Sequence, residues 1–189
     1  MNSTPQKAAF IDRDGTLIEE VNFLSRVEDL RIFPFTADAL RRLKDAGFLT
    51  IVVTNQSGIG RGLYSEEDMH SIHRRMAEHV PGLIDAFHFC PHLPEAGCRC
   101  RKPNIGMLEA AESEFSIERA ASWMIGDKRL DIETGFKAGT RTALVKTGYG
   151  ADTCVQLTKG PDLIEENLLD VVCAMLDSAR AASSWQPAM

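Results

Sequence analysis

The sequence predicts an α/β domain built on a central parallel sheet flanked by helices. Apolar runs of strand length alternate with segments of helical periodicity along most of the chain. Three of those runs end in short polar motifs, "DRDGT" at 12–16, "TNQSG" at 54–58 and "GDKRLD" at 126–131. In such sheets the working groups lie at the carboxyl ends of the strands. A chain of 189 residues, 44% hydrophobic and 25% charged, can bury one proper core. A single domain over 1–189 is therefore expected, with a distinctive loop at 90–100 and a loose tail over about 181–189.

Residues 8–12 read as the first strand, an apolar run closing on a carboxylate. Thr36 is placed to cap a helix through "ADALRRLKDA", with Leu40 and Leu43 on one face and Gly47 as its stop. "FLTIVVTN" is a β-branched strand ending on Thr54 and Asn55. Ser65 followed by Asp68 resembles a capping box, opening a helix with Met69, Ile72, His73 and Met76 along one side. "DAFHF" is the next strand and runs into the loop. Beyond it come a helix at "GMLEAAESEF", a strand at "SWMIGD", a short helix at "DIETGFKAG" and a strand at "RTALVKT". The end supplies a short edge strand, a terminal helix and the tail "AASSWQPAM". With no repeat and no linker, the five or six strands belong to one sheet.

The formal net charge of −6 argues against a nucleic-acid-binding face, although a local cationic pocket is compatible with it. Residues 1–7 lack the basic-then-apolar order of a secretory signal, and no apolar run approaches the roughly 20 residues of a membrane span. A cytoplasmic protein without membrane or nucleic-acid partners is expected, and a monomer, since no surface stripe suggests a second copy. Cys154 and Cys173 stand far apart in apolar surroundings, which suits reduced packing residues better than a disulfide framework. His70, His73, His79 and His88 are expected on helix or strand surfaces.

Asp12 and Asp14 are two apart at a strand end, so both carboxylates face one side while Arg13 points away. Gly15 lets the backbone turn, and Asp127 brings a third carboxylate from another strand. Three oxygen donors without histidine suit a hard octahedral cation such as Mg²⁺. A carboxylate attacking a phosphate ester meets repulsion of about 1 kcal/mol per charge pair at about 4 Å in water, and several times that in a protein cleft. Mg²⁺ offsets it with two charges and Lys102 with a third, while the Thr54 hydroxyl and nearby N–H groups hold phosphoryl oxygens. Singly, D-x-D-G-T is also a polar turn, T-N-Q-S-G a strand exit and G-D-x-x-x-D a helix cap. Their fixed order, each behind an apolar strand, makes chance agreement improbable.

The stretch "CPHLPEAGCRCRKP" at 90–103 carries Cys90, His92, Cys98 and Cys100, a complete Cys₃His set for tetrahedral Zn²⁺. With no position left open for water, such a site is structural. The spacing is not that of a common zinc finger, and the same residues also read as a plain loop turned by Pro91, Pro94 and Gly97. A zinc ribbon for nucleic acid is disfavoured by the acidic balance and by the lack of aromatics among the basic residues.

Together "DRDGT", "TNQSG", Lys102 and "GDKRLD" resemble the four signature motifs of the haloacid dehalogenase superfamily of phosphatases. With the cysteine loop included, about residues 10–150 resemble the branch that holds the D-glycero-D-manno-heptose 1,7-bisphosphate phosphatases and the histidinol-phosphate phosphatases. The resemblance implies a Rossmann-like domain with a small zinc-binding loop and no large cap domain, hence an open site for an extended substrate. It makes Asp12 the nucleophile that becomes phosphorylated, and Asp14 the acid for the leaving oxygen and later the base for water. Mg²⁺ is then held by the Asp12 carboxylate, the Asp14 backbone carbonyl and Asp127, with Asp131 behind them. Thr54 and Lys102 steady the phosphoryl group. Arg13, the flap residues Glu20, Val21, Asn22 and Phe23, and Asn55, Gln56, Ser57, Arg101 and Lys128 match substrate-contacting positions. In the flap "EEVNF" stands where many relatives carry glycine-tyrosine. The cysteine loop becomes a zinc-pinned device that points Arg101 and Lys102 at the phosphate.

The activity so implied is removal of the C7 phosphate from a phosphorylated sugar, D-glycero-D-manno-heptose 1,7-bisphosphate, in heptose or lipopolysaccharide-core precursor synthesis. A histidinol-phosphate phosphatase is the alternative, and it shares every catalytic residue. "GIGRGLYSEEDM", "RKPNIGML" and "WMIGDKRLDIETGFKAG" read closer to the heptose side. A catalytically silent zinc module used for binding is a third reading, opposed by the intact Asp12, Asp14, Lys102 and Asp127 set.

Overall fold

The first strand, β1 (Ala8–Ile11), is buried at every residue, so both of its faces must be covered. Ala9 and Ile11 join one core with Leu40, Leu43, Val52, Ile125, Val145, Leu168 and Val172. Ala8 and Phe10 join a second core with Ile51, Val53, Met107, Leu108 and Met124. The strand period of two thus divides one apolar run between two layers. Each large side chain so buried contributes about 1.5–3 kcal/mol.

The computed structural model describes residues 4–184, with side chains as far as 178. Beside β1 lie β2 (Leu49–Asn55), β3 (Ala86–Cys90), β4 (Trp123–Gly126), β5 (Arg141–Val145) and β6 (Leu163–Glu165), in the order β3-β2-β1-β4-β5-β6. Every pair is parallel, so all carboxyl ends share one edge. The chain winds outward from β1 in one direction and then returns to β4 on its other side, which places a topological switch point between β1 and β4. The helices are α1 (Thr36–Asp45), α2 (Ser57–Gly60), α3 (Glu66–His79), α4 (Gly106–Glu114), α5 (Arg129–Ala138), α6 (Gly150–Gln156) and α7 (Leu168–Ser184). α1 and α7 pack together over the first core, α4 lies against β2 and β3, and α5 lies against β4 and β5. Between β1 and α1 the chain leaves the sheet, and an antiparallel bridge from Ile18 to Ile32 closes the base of this flap. No helix among the described residues is long and apolar enough to cross a membrane.

Several local expectations are corrected. Thr36 is the first residue of α1 and not its cap, because its buried hydroxyl donates to the Leu17 carbonyl at 2.6 Å. The helix α6 has no apolar stripe to announce it, since only Gly150 and Thr153 in it are buried. α7 continues to Ser184, so residues 181–184 are helical and not loose tail, while 185–189 lie outside the described residues. Cys154 and Cys173 are half-buried and belong to neither core, with Arg42 Nη1 donating to Cys173 Sγ at 3.8 Å. His73 is buried, whereas His70 and His79 are exposed and His88 is half-buried. Its neighbours on the same face of α3, Met69, Ile72 and Met76, draw His73 inward.

Candidate active site

β1, β2 and β4 end side by side, and the residues just beyond them meet. Gly15 has φ +83°, and a Cβ there would lie 2.3 Å from Asp127 Oδ2, so only glycine lets the two loops touch. The Thr147 hydroxyl, beyond β5, donates to the Gly15 carbonyl at 2.6 Å, and the Tyr149 N–H donates to Asp127 Oδ2 at 2.8 Å. With Oδ2 engaged, Asp127 Oδ1 is buried and without a protein partner. Asp12, Asp127 and Asp131 offer carboxylate oxygens within 4.8 Å of one another. Burial, and next the Asp12 charge, push Asp127 up to about 8 against the pull of Lys128. An orphaned carboxylate oxygen facing a second carboxylate fits a hard divalent cation, and Mg²⁺ suits this all-oxygen set. Asp131 is occupied otherwise: one oxygen lies 2.6 Å from Lys102 Nζ and the other accepts the Lys128 N–H at 2.9 Å.

Lys102 is buried, its Nζ 2.8 Å from Asp12 Oδ1 and 2.8 Å from the Val53 carbonyl. Burial disfavours its charge, but Asp12 and Asp131 outweigh that and hold it above the usual lysine range. The Asn55 amide clamps the Lys102 backbone, accepting its N–H at 3.0 Å and donating to its carbonyl at 3.2 Å. The last residue of β2 therefore fixes the cation opposite Asp12.

Asp14 sits in a network of its own. Arg13 grips it bidentately, Nη2 to Oδ1 at 2.9 Å and Nε to Oδ2 at 3.1 Å. Gln56 Nε2 donates to Asp14 Oδ2 at 2.9 Å and to Thr54 Oγ1 at 2.7 Å, and its Oε1 accepts from the Tyr64 hydroxyl at 2.6 Å. Burial raises Asp14, yet the Arg13 charge and hydrogen bonds, with Lys128 and Gln56, overbalance it and hold the carboxyl below its ordinary value. Arg13 does not point away, as strand alternation suggested, because β1 ends at Ile11 and the chain turns before Arg13. On its far side Arg13 Nη1 lies 3.3 Å from His73 Nε2, and the His73 ring stacks on Phe87 at 4.4 Å. Burial, then Arg13, push His73 down to about 3, so its ring is neutral and accepts from Arg13.

Above these groups opens a cavity of about 260 Å³, bounded by Glu20, Val21, Asn22 and Phe23 of the flap and by Ser57, Arg101, Lys128, Leu130 and Tyr149. A smaller recess of about 30 Å³ below it is lined by Asp12, Asp14, Thr54, Lys102 and Asp131. Lys128 borders both spaces and reaches Glu20 at 2.7 Å. Burial opposes its charge, while Asp12, Asp127 and Glu20 hold it well above the usual range. Phe23 keeps a left-handed φ of 56° and packs under Arg61, 5.7 Å from its ring.

In the cysteine loop His92 Nδ1 lies 3.5 Å from Cys90 Sγ and 3.2 Å from Cys100 Sγ. Cys100 Sγ stands 3.0 Å from Cys90 Sγ and 3.5 Å from Cys98 Sγ. Four soft donors converging in this way fit a closed Zn²⁺ site. Cys90 ends β3 beside Asn55 of β2, so the cluster leads the chain back to Arg101 and Lys102 at the sheet edge. The structure thus brings the expected residues to one edge of the sheet. Sequence reasoning missed Tyr64, Leu130 and Tyr149 and misplaced His73. Tyr64 had a faint signal, standing directly before the capping-box Ser65.

An HAD-hydrolase-like family model matches residues 99–171. A D-glycero-D-manno-heptose-1,7-bisphosphate 7-phosphatase of Thermosynechococcus vestitus is 40% identical over 185 residues, covering 89% of this chain and 94% of that relative. A D-glycero-beta-D-manno-heptose-1,7-bisphosphate 7-phosphatase of Haemophilus ducreyi is 36% identical over 178 residues, 88% of this chain and 97% of that relative. Among solved structures, the D,D-heptose 1,7-bisphosphate phosphatase of B. bronchiseptica, complexed with magnesium and phosphate, superposes with a TM-score of 0.85 at 30% identity, over 91% of this chain and 99% of that one. Relatives so similar over nearly their whole length, on the same fold, place the chain in the haloacid dehalogenase-like hydrolases, and it belongs to the family of the D-glycero-D-manno-heptose-1,7-bisphosphate 7-phosphatases.

Proposed function

We propose that the chain removes the C7 phosphate of D-glycero-D-manno-heptose 1,7-bisphosphate through an aspartyl phosphate, as a cytoplasmic monomer in heptose or lipopolysaccharide-core precursor synthesis. The observation that carries this is Asp12, a buried carboxylate between Lys102 and Asp127 with Asp14 two residues on. An Asp12 oxygen attacks phosphorus, the bond to the C7 oxygen breaks, and Asp14 delivers a proton to that oxygen. Arg13 holds Asp14 ionised in the resting site, and the arriving phosphate dianion raises its affinity for the proton it will donate. In the second step Asp14, now a base, takes a proton from water. The water oxygen attacks phosphorus, the bond to Asp12 breaks, and inorganic phosphate leaves.

Asp12, the Asp14 carbonyl and Asp127 would hold Mg²⁺, which would supply two positive charges against the repulsion between carboxylate and phosphate. Lys102 adds a third charge, held by Asp131 and the Asn55 clamp, and the Thr54 hydroxyl donates to a phosphoryl oxygen. Gln56 and Tyr64 orient Thr54 and Asp14 from behind. Arg101 and Lys128 at the cavity wall give cationic contacts for a substrate with a second phosphate. The test compares kcat/KM on heptose 1,7-bisphosphate with that on histidinol phosphate. The heptose is expected to be preferred by on the order of 100-fold, about 2.7 kcal/mol of differential transition-state binding. A preference for histidinol phosphate would overturn the substrate assignment.

A further inference from the structure

Tyr149 is used by none of the steps above, yet it borders the site, with its ring 5.0 Å from Lys128 Nζ. The residue lines the 260 Å³ cavity and is 45% exposed, on a loop whose Lys146 and Gly148 are exposed as well. Its backbone cannot retreat: the N–H is bonded to Asp127 Oδ2 at 2.8 Å, and Thr147, two residues earlier, is bonded to the Gly15 carbonyl at 2.6 Å. Gly148 between them has φ +57°, and a Cβ there would fall 2.3 Å from the same Asp127 oxygen. The loop after β5 is therefore fastened to the nucleophile loop and to the metal-facing carboxylate, and Tyr149 is the side chain it presents to the cavity. Around it the wall is mixed, with Glu20, Asn22, Arg101 and Lys128 beside the apolar Val21, Phe23 and Leu130. A pocket of this kind orients its ligand with a few polar groups and needs an apolar surface for the rest.

We propose that Tyr149 is a specificity residue whose ring face is the platform for the C–H face of the sugar, set at a fixed height above the reacting phosphate by the bond from its own N–H to Asp127. The inference rests on the sugar-phosphate reading of the site and names the contact that distinguishes a ring-bearing substrate from bare phosphate. Lys128 Nζ lies 5.0 Å from the ring centroid, so the competing account is that the ring merely steadies this lysine. Lys128 has a second anchor at Glu20, and the two accounts part on which ligands lose affinity.

The experiment measures KM and kcat on heptose 1,7-bisphosphate, and the inhibition constant of inorganic phosphate, for the Mg²⁺-loaded wild type, Tyr149→Phe and Tyr149→Ala. Tyr149→Ala should raise KM about tenfold with a much smaller change in kcat, while the phosphate constant moves less than about twofold. Tyr149→Phe, which keeps the ring, should restore the wild-type KM. An unchanged KM in Tyr149→Ala, or a parallel rise in KM and the phosphate constant, overturns the proposal. If Tyr149→Ala fails to fold, Tyr149→Leu takes its place with the same expected rise in KM. Failure of the wild type to turn over the bisphosphate would strike the substrate reading and this inference with it, whereas wild-type turnover with an indifferent alanine variant strikes this inference alone.

Discussion

Arg13 spends its whole guanidinium inside the protein, with Asp14 on one side and His73 on the other. A buried cation of this kind holds a carboxylate ionised and oriented, and its own orientation depends on a neutral imidazole that can accept a hydrogen bond. That dependence makes a pH prediction. His73 has a folded value of about 3 against an ordinary 6.5. Its contribution to stability is complete above about pH 6.5 and is lost as pH falls toward about 3, because the unfolded chain takes up the proton first. Denaturant titrations between about pH 6 and 4.5 should show stability falling by about 1.4 kcal/mol per pH unit from this group. His73→Gln, which keeps an acceptor without titrating, should flatten that slope, and an equally steep fall in the variant would refute the assignment. The residues legible in the sequence were those carried by local motifs, namely Asp12, Asp14, Thr54, Lys102 and Asp127. His73 and Tyr64 were not, because their role arises where α3 and the loop before it pack across the end of β1, and nothing local records that.

Among the elements, the cysteine loop does the most with the fewest residues. It leaves β3 at Cys90, folds on four converging donors and returns the chain with Arg101 and Lys102 in place. Stable capture of Zn²⁺ there is a folding term for the loop, since no such site exists in the unfolded chain. Purified protein should contain about one Zn²⁺ per chain, and stripping it, with Mg²⁺ then restored in excess, should lower Tm by several degrees and kcat at least severalfold. Re-addition of Zn²⁺ should recover both; a zinc-free protein with full turnover and unchanged Tm would remove the positioning role. This loop was legible because ligand type and spacing are written in consecutive residues. The capping box that opens α3 was legible for the same reason. Thr36 was misread because a tertiary partner, the Leu17 carbonyl, took its hydroxyl from the helix end. α6 escaped because seven residues with two buried positions leave too little period to detect.

Over the whole molecule, alternating strands and helices announced a parallel sheet, and the sheet gathered the three polar motifs at one edge. The strand order could not be seen in the same way, since it depends on which distant runs pair, and the pattern of apolar residues is alike in each. That order sets the chemistry: β1 at the switch point brings Asp12 between Lys102, arriving from beyond β3, and Asp127, arriving from beyond β4. In the proposed mechanism the other catalytic groups, Asp14, Thr54 and Lys102, act on the phosphate by way of this carboxylate or beside it. The central claim is therefore that Asp12 is the attacking group, and the direct measurement is Mg²⁺-dependent phosphate release by Asp12→Asn, with circular dichroism and Tm recorded on the same preparation. The account predicts a folded protein whose kcat has fallen by on the order of 10⁴-fold or more. A folded Asp12→Asn variant that still turns over at the wild-type rate would contradict it.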